Sequence, residues 1–202
     1  MLLEYITLGQ LMIFRNPQRD MQGLNKTIFK IMEAALHYKH SFNVAMEMHK
    51  SGKDAGEILH YLVSAAETGA GSETVSSILV LDQEGLLRNK CSPKLPTDYL
   101  QAIDGLKPDP GVGTCAAAAA TGCMVTTPSF YADNKWAELR HLPLSLGFAG
   151  AWSVPIKSGS NKVIGTFGTY LRESRHPTGE EVAGVELLAS LVAIILGESV
   201  EA

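Results

Sequence analysis

The sequence predicts an α+β fold: a central antiparallel sheet with helices on both faces, preceded by a long N-terminal helix. Three observations carry this. Runs rich in β-branched residues come in adjacent pairs joined by turns of few residues, which favours antiparallel pairing. Those runs are nearly all apolar, so both faces of the sheet must be covered. Apolar residues at alternating steps of three and four mark helices before and after the strands.

The first residues, MLLEYITLGQLMIF, carry Glu4, lack a basic leader and are shorter than the roughly 20 apolar residues of a membrane span. They read as a helix or strand docked on protein. Residues 17–50 read as one helix with Leu24, Ile28, Ile31, Ala35, Tyr38, Phe42 and Ala45 on one stripe, the spacing that a two-helix seam requires. Met32, Leu36 and Met46 widen the stripe, and Ser51 and Gly52 break it. Asp54 and Glu57 make a capping box for a second helix over 55–68, with Ile58, Leu59, Leu62, Val63 and Ala66 as its apolar face. The chain therefore divides into an N-terminal helical extension, 1–54, and a domain over 55–202.

Strands are expected at 75–82, 86–92, 123–126, 149–157 and 162–172, with room for one more short strand. The turns fall at Gln83–Gly85 and Gly159–Asn161. Between the two hairpins, Pro96 to Ile103 reads as a short helix. Pro110, Gly111 and Gly113 shape a tight loop, after which Thr114 caps an alanine-rich helix that Gly122 ends. NKWAELRHLPLSLG reads as a helix interrupted near Pro143. Thr178 and Glu181 form a further capping box for a final helix, with Val182, Val185, Leu188, Leu191, Val192 and Ile195 inward.

Composition narrows function. The 202 residues are 46% apolar, enough for a core, and the net charge of −4 argues against a nucleic-acid partner, which wants a basic face. Three cysteines, an odd number behind no secretory segment, suit a reducing cytoplasm, and the short N-terminal apolar run gives no expectation of a membrane partner. Cys115 and Cys123 are eight apart, which is not metal-ligand spacing. GVGTCA lacks the spacing of a dinucleotide fingerprint, and no P-loop, HExxH or GxSxG is present.

The segments ILVLDQEGLL, LPTDYLQAIDGLKPDPGVGTCAAAAATG, FYADNKWAELRHLPLSLGFAGAWSVPI and VIGTFGTYLRESRHPTGEE, in this order before a long helix, resemble a GAF domain of bacterial signalling proteins. The resemblance spans about residues 55–200. It implies a sheet of about six strands. The first and last helices would pack together on one face, often making a homodimer, and a ligand cavity would lie on the other. It also implies a small-molecule-sensing regulatory role in signal transduction, with a ligand-free dimerising or partner-binding scaffold as the alternative. The chain stops soon after the last helix, so a partner protein is expected to receive the signal.

An enzyme of this fold reduces free methionine sulfoxide with cysteines. Its catalytic cysteine lies just before the strand that reads GFAGAWSVPI here, and that stretch has none. The acidic residues that the family uses on the last two strands are also missing from AWSVPI and VIGTFGTY. A cysteine-dependent redox enzyme is therefore not expected. The NKFDE-type signature of cyclic-nucleotide GAF domains is absent, neither Cys115 nor Cys123 matches a bilin motif, and His141 reads as a surface residue instead of a haem ligand. The cofactor and the ligand stay unknown.

Gly113, Thr114, Cys115, Trp136 and Trp152 are the candidate ligand-binding residues. The loop–helix junction at Gly111, Gly113, Thr114 and Cys115 would present free backbone N–H groups to a small anion or polarised oxygen. Cys115 at a helix start could have a lowered thiol pKa, although burial as a small hydrophobe is the plainer reading. Trp136 comes from the covering helix. Trp152 shares one strand face with Val154 and Ile156, to line the cavity or to fill the core.

Overall fold

A computed structural model describes residues 17–71 and 73–198; the apolar segment 1–14 lies outside them. In chain order the elements are α1 (Pro17–Lys50), α2 (Ala55–Ala70), β1 (Val75–Leu81), β2 (Leu87–Cys91), α3 (Thr97–Ala102) and α4 (Cys115–Thr121). There follow β3 (Val125–Thr127), a 3-10 turn (Asn134–Trp136), α5 (His141–Ser145), β4 (Gly150–Lys157), β5 (Val163–Leu171) and α6 (Gly179–Glu198). The strands form one sheet in the order β2-β1-β5-β4-β3, with every neighbouring pair antiparallel. Among the described residues the sheet has five strands, where the family resemblance implied about six.

Two units divide the chain, residues 1–33 and 34–202. In the first, the described residues are the N-terminal half of α1, where Ile28, Phe29, Ile31 and Met32 are exposed. In the second, the stripe predicted for α1 is buried at Tyr38 and Ala45, while Ala35 is exposed.

Strand alternation sorts the sheet into two faces. One face carries Ile78, Trp152, Val154, Ile156, Phe167 and Leu171, buried against Ile58, Leu59, Leu62 and Val63 of α2 and Val185, Leu188, Leu191 and Val192 of α6. Tyr38 of α1 joins this layer. Its ring lies against the α-carbons of Gly69 and Gly184, and a Cβ on Gly69 would fall 2.5 Å from a ring carbon. Only glycine lets the helix backbones come this close to the ring.

The helix ends follow local chemistry. Asp54 accepts from the N–H groups of Gly56 (2.8 Å) and Glu57 (3.2 Å). Glu57 pairs with Lys53 at 3.2 Å. At α6 the box is reciprocal: Glu181 N–H donates to Thr178 Oγ1 (3.2 Å) and Thr178 N–H donates to Glu181 (2.7 Å). Arg175 holds the same carboxylate through two bonds of 2.7 Å.

Two local expectations change. The helix read over 134–147 is a 3-10 turn followed by the five-residue α5. The interruption falls at 137–140, before Pro143, which sits in the first turn of α5, where its missing N–H has no helical partner to lose. Thr114 makes no side-chain cap, because it already has helical backbone angles (φ −94, ψ −42). Gly122 does close α4, in the left-handed region at φ 63.

Candidate functional site

The second face of the sheet carries Val75, Ser77, Leu79, Ala151, Ser153, Thr166, Gly168 and Tyr170, by the cross-strand register of β1, β5 and β4. Its rim is apolar. Val75, Ala151 and Tyr170 pack with Tyr99 of α3, Phe130, Trp136 and Phe148. Leu79 packs with Leu87, Cys115, Ala116 and Ala119 beneath α4. The four consecutive buried alanines of α4, Ala116–Ala119, let its backbone lie close to the strands.

The centre of this face is polar. Gly168 stands between Ser77 and Ser153 across the sheet, with Thr166 and Tyr170 two residues away along β5. All four of these neighbours are buried. Cys115 Sγ lies over Gly168: a Cβ there would be 2.8 Å from the sulfur and 3.0 Å from Ser77 Oγ. Ser153 Oγ donates to the Phe167 carbonyl at 3.2 Å, and Tyr99 donates to Tyr170 at 2.8 Å. Ser77 Oγ and Trp136 Nε1 have no hydrogen-bond partner, and Thr166 Oγ1 has no oxygen or nitrogen partner but stands against the Cys115 sulfur. Buried hydroxyls without partners are uncommon and costly, and each needs a reason.

Burial pushes the Cys115 thiol up; the Ser153, Thr166 and Thr114 hydroxyls around it pull the other way without prevailing. This reverses the lowered pKa that a helix start allowed. The dipole of a seven-residue helix is outweighed by desolvation of a thiolate. Burial likewise raises Tyr99 and Tyr170, so the centre of this face is uncharged.

The loop before α4 differs from expectation in one respect that matters chemically. Gly111 N–H donates to Asp109 Oδ1 (2.7 Å), Val112 N–H to the Asp109 carbonyl (3.2 Å) and Gly113 N–H to the Lys135 carbonyl (2.8 Å). Two of the N–H groups that were to greet an anion are thus already bound, Gly111 within the loop and Gly113 to the 3-10 turn. The nearby turn is tied by Asp133, which accepts from Thr127 Oγ1 (2.7 Å), Lys135 N–H (3.0 Å) and Lys135 Nζ (2.6 Å).

Of the five candidates, Gly113, Thr114, Cys115 and Trp136 come together. They are all buried, and Gly113 lies against the Trp136 ring. Trp152 does not join them. It is fully buried on the opposite face with the α2 and α6 side chains, because it has the parity of Val154 and Ile156. Ser77, Ser153, Thr166 and Gly168 were not singled out by sequence. Their signal was small or polar residues at alternate positions of otherwise apolar strands.

His141 is exposed, and Cys123 is exposed while Cys115 is buried. Among the described residues no group of three or more His, Cys, Asp or Glu could hold a metal ion. Nor, among them, is any helix long and apolar enough to cross a membrane.

Comparison with known proteins agrees with the architecture. A methyl sulfide methyltransferase-associated sensor from Methanosarcina acetivorans is 33% identical over 157 residues, which are 77% of this chain and only 16% of that protein. The GAF domain of a phosphoenolpyruvate-protein phosphotransferase from Coxiella burnetii superposes with a TM-score of 0.67 at 15% identity, covering 82% of this chain and 95% of that one. The free methionine-R-sulfoxide reductase of Neisseria meningitidis, solved with its substrate, gives a TM-score of 0.62 at 16% identity over 84% of this chain and 93% of that one. At such identities the likeness shows the fold alone. GAF domains are in general non-catalytic regulatory modules of signalling proteins. The family model described as GAF domain matches residues 52–197. On the match and the sheet together, this chain belongs to the GAF domain family.

Proposed function

We propose that this chain is a small-molecule-sensing regulatory domain that acts in signal transduction through a partner protein. One observation carries the reading: a polar patch at the centre of an apolar sheet face, with two buried hydroxyls that lack an oxygen or nitrogen partner, covered by α4 and the loop before it. Among the described residues Tyr38 and Trp152 also hold unpartnered polar atoms, in the helix-packed core, but Ser77, Thr166 and Trp136 gather theirs on this one face, and small-ligand sites combine apolar walls with a few convergent polar atoms. Gly113, Thr114 and Cys115 belong to this cover, and Trp136 of the 3-10 turn lies against Gly113. The similar protein from Methanosarcina acetivorans is named a sensor, which supports the same role.

The sheet supplies an output route. In β5, Thr166, Gly168 and Tyr170 face the patch, while Phe167 and Leu171 face the helices. A ligand that lifts Cys115 from Gly168 moves the central strand and, through Phe167, the α2–α6 layer. Native mass spectrometry of freshly purified protein tests the reading. A small molecule retained at stoichiometric level, and lost in Thr114→Val with Trp136→Phe, is the expected result. If the low-molecular-weight fraction of a cell extract changes neither the Trp136 emission of Trp152→Phe protein nor hydrogen exchange over 107–121, the sensor reading fails.

A homodimer through the N- and C-terminal helices is proposed with it. Ile28, Phe29, Ile31 and Met32 are exposed on α1, and so, separately, are Leu187 and Ile194 on α6. Sedimentation equilibrium should give twice 21.7 kDa for the wild type and a monomer for Ile31→Glu. A wild type that stays monomeric at tens of micromolar ends that proposal.

A further inference from the structure

We propose that a second site, at the hairpin end of the sheet, binds a small amphipathic anion: an aliphatic chain with an anionic head of the carboxylate kind. It lies apart from the Cys115 patch and does not rest on the sensor reading.

The strands themselves open this site. β1 and β5 stay paired only as far as Val80 and Gly165. Beyond that pair each strand meets its own turn, 82–86 after β1 and 158–162 before β5. Residues of both turns line a cleft of about 710 Å³, together with Leu196 and Gly197 at the end of α6. That size lies in the range of small-ligand sites. The apolar lining is Val80, Leu81, Val163, Ile164 and Leu196, each partly buried. Five aliphatic side chains left partly in water around one concavity are stabilised by an apolar chain laid against them, at roughly 25 cal/mol per Å² covered.

Charge selects the head group. Lys90 and Lys162 line the same cleft, both are exposed, and neither ammonium has an ion pair or hydrogen bond among the described residues. Asp82 is the one acidic residue of the lining, and its carboxylate is committed. Oδ1 accepts from the N–H groups of Glu84 and Leu86, both at 2.9 Å, and Oδ2 accepts from Arg88 Nε at 2.8 Å. A cationic ligand would have to displace Arg88, whereas an anionic one finds two cations unspent. The carbonyl end of α6 opposes an anion with only about half a charge. Lysine suits this task, because its flexible stem can cover apolar surface while the ammonium reaches a head group at the rim.

Three probes separate chain from charge: octanoate, octylammonium and acetate, titrated below micelle formation into 15N-labelled protein at constant ionic strength. Octanoate should shift the amide signals of Leu81, Lys90, Val163 and Leu196 in a saturable way. Acetate, which lacks the chain, should bind at least tenfold more weakly, and octylammonium should also be weaker. The double variant Lys90→Glu/Lys162→Glu should lose about tenfold in octanoate affinity and gain affinity for octylammonium. Both lysines are exposed, and the same spectra show that the variant is folded. An octylammonium affinity equal to or above that of octanoate in the wild type overturns the proposal. So does a lack of saturable octanoate shifts, an unchanged affinity in the double variant, or shifts centred on Cys115 and Gly168 instead of the hairpin end.

Discussion

Gly168→Ala measures how tightly the patch is closed. The new Cβ would lie 2.8 Å from Cys115 Sγ, some ~0.7 Å inside the near edge of the roughly 3.5–4.0 Å optimum for carbon contacts. Ser77 Oγ, at 3.0 Å, can turn away, but the sulfur sits on α4 and cannot. Overpacking of this kind costs about 1–3 kcal/mol, and replacing a strand glycine returns roughly 0.5–1 kcal/mol. The net expected loss is about 1–2 kcal/mol. Cys115→Ala alone removes one buried heavy atom and should cost roughly 1 kcal/mol. With the sulfur gone the Cβ has room, so Gly168→Ala/Cys115→Ala should be about as stable as Cys115→Ala. Urea unfolding with unchanged m-values reads all four proteins of the cycle. The expected coupling is about 1–2 kcal/mol. Additivity within about 0.5 kcal/mol would show that the sulfur does not rest on Gly168, and the geometry of the patch would be refuted.

Tyr38→Phe should be neutral or stabilising by up to ~1 kcal/mol, because it removes a buried hydroxyl that has no partner and leaves the ring between Gly69 and Gly184; a clear loss in thermal unfolding contradicts this. Thr178→Ala should cost about 1 kcal/mol by breaking the box at α6, and Thr178→Ser should restore most of it in the same measurement. Burial pushes the Asp133 carboxyl up, but Lys135 and Thr127 outweigh it and hold the pKa below the ordinary value. Its contribution is therefore complete above the unfolded pKa of about 3.9 and is lost as pH falls through the lower folded value. The stability gap between wild type and Asp133→Asn, followed by urea unfolding from pH 6 downward, should narrow only below about pH 4; a gap that widens with acid reverses the sign.

Most of the fold could be read because the long elements obey one period each. The β1–β2 and β4–β5 hairpins appear within a residue of their expected bounds, and all five apolar positions read for α2 are buried. The misreadings fall where tertiary partners decide. The strand expected at 123–126 begins only at Val125, since Cys123 N–H is taken by Thr121 Oγ1 at 3.3 Å. The 134–147 segment breaks because Asp133 caps a 3-10 turn and several of the bonds that follow span three residues, Ala137 N–H to Asn134 (3.0 Å), Leu139 N–H to Trp136 (3.1 Å) and Leu142 N–H to Leu139 (3.0 Å). No periodicity in ten residues announces such bonds.

The candidate site was half legible for a related reason. Parity along one strand is visible in sequence: Trp152 must share a face with Val154 and Ile156, and Ser153 must take the other. Which face meets which helices is not visible, because it depends on how β4 is registered against β5. Once Ser153 is opposite Gly168 and Gly168 opposite Ser77, three unremarkable residues on three strands become one polar patch, and Trp152 is fixed on the far side. The same register explains the thiol. Cys115 was assigned to a helix start, where a field would acidify it. Placed over Gly168 and enclosed by hydroxyls, it is governed by burial instead. A sequence can show that Ser77, Ser153 and Thr166 break apolar runs. Only the pairing of strands turns those breaks into a site with a definite charge.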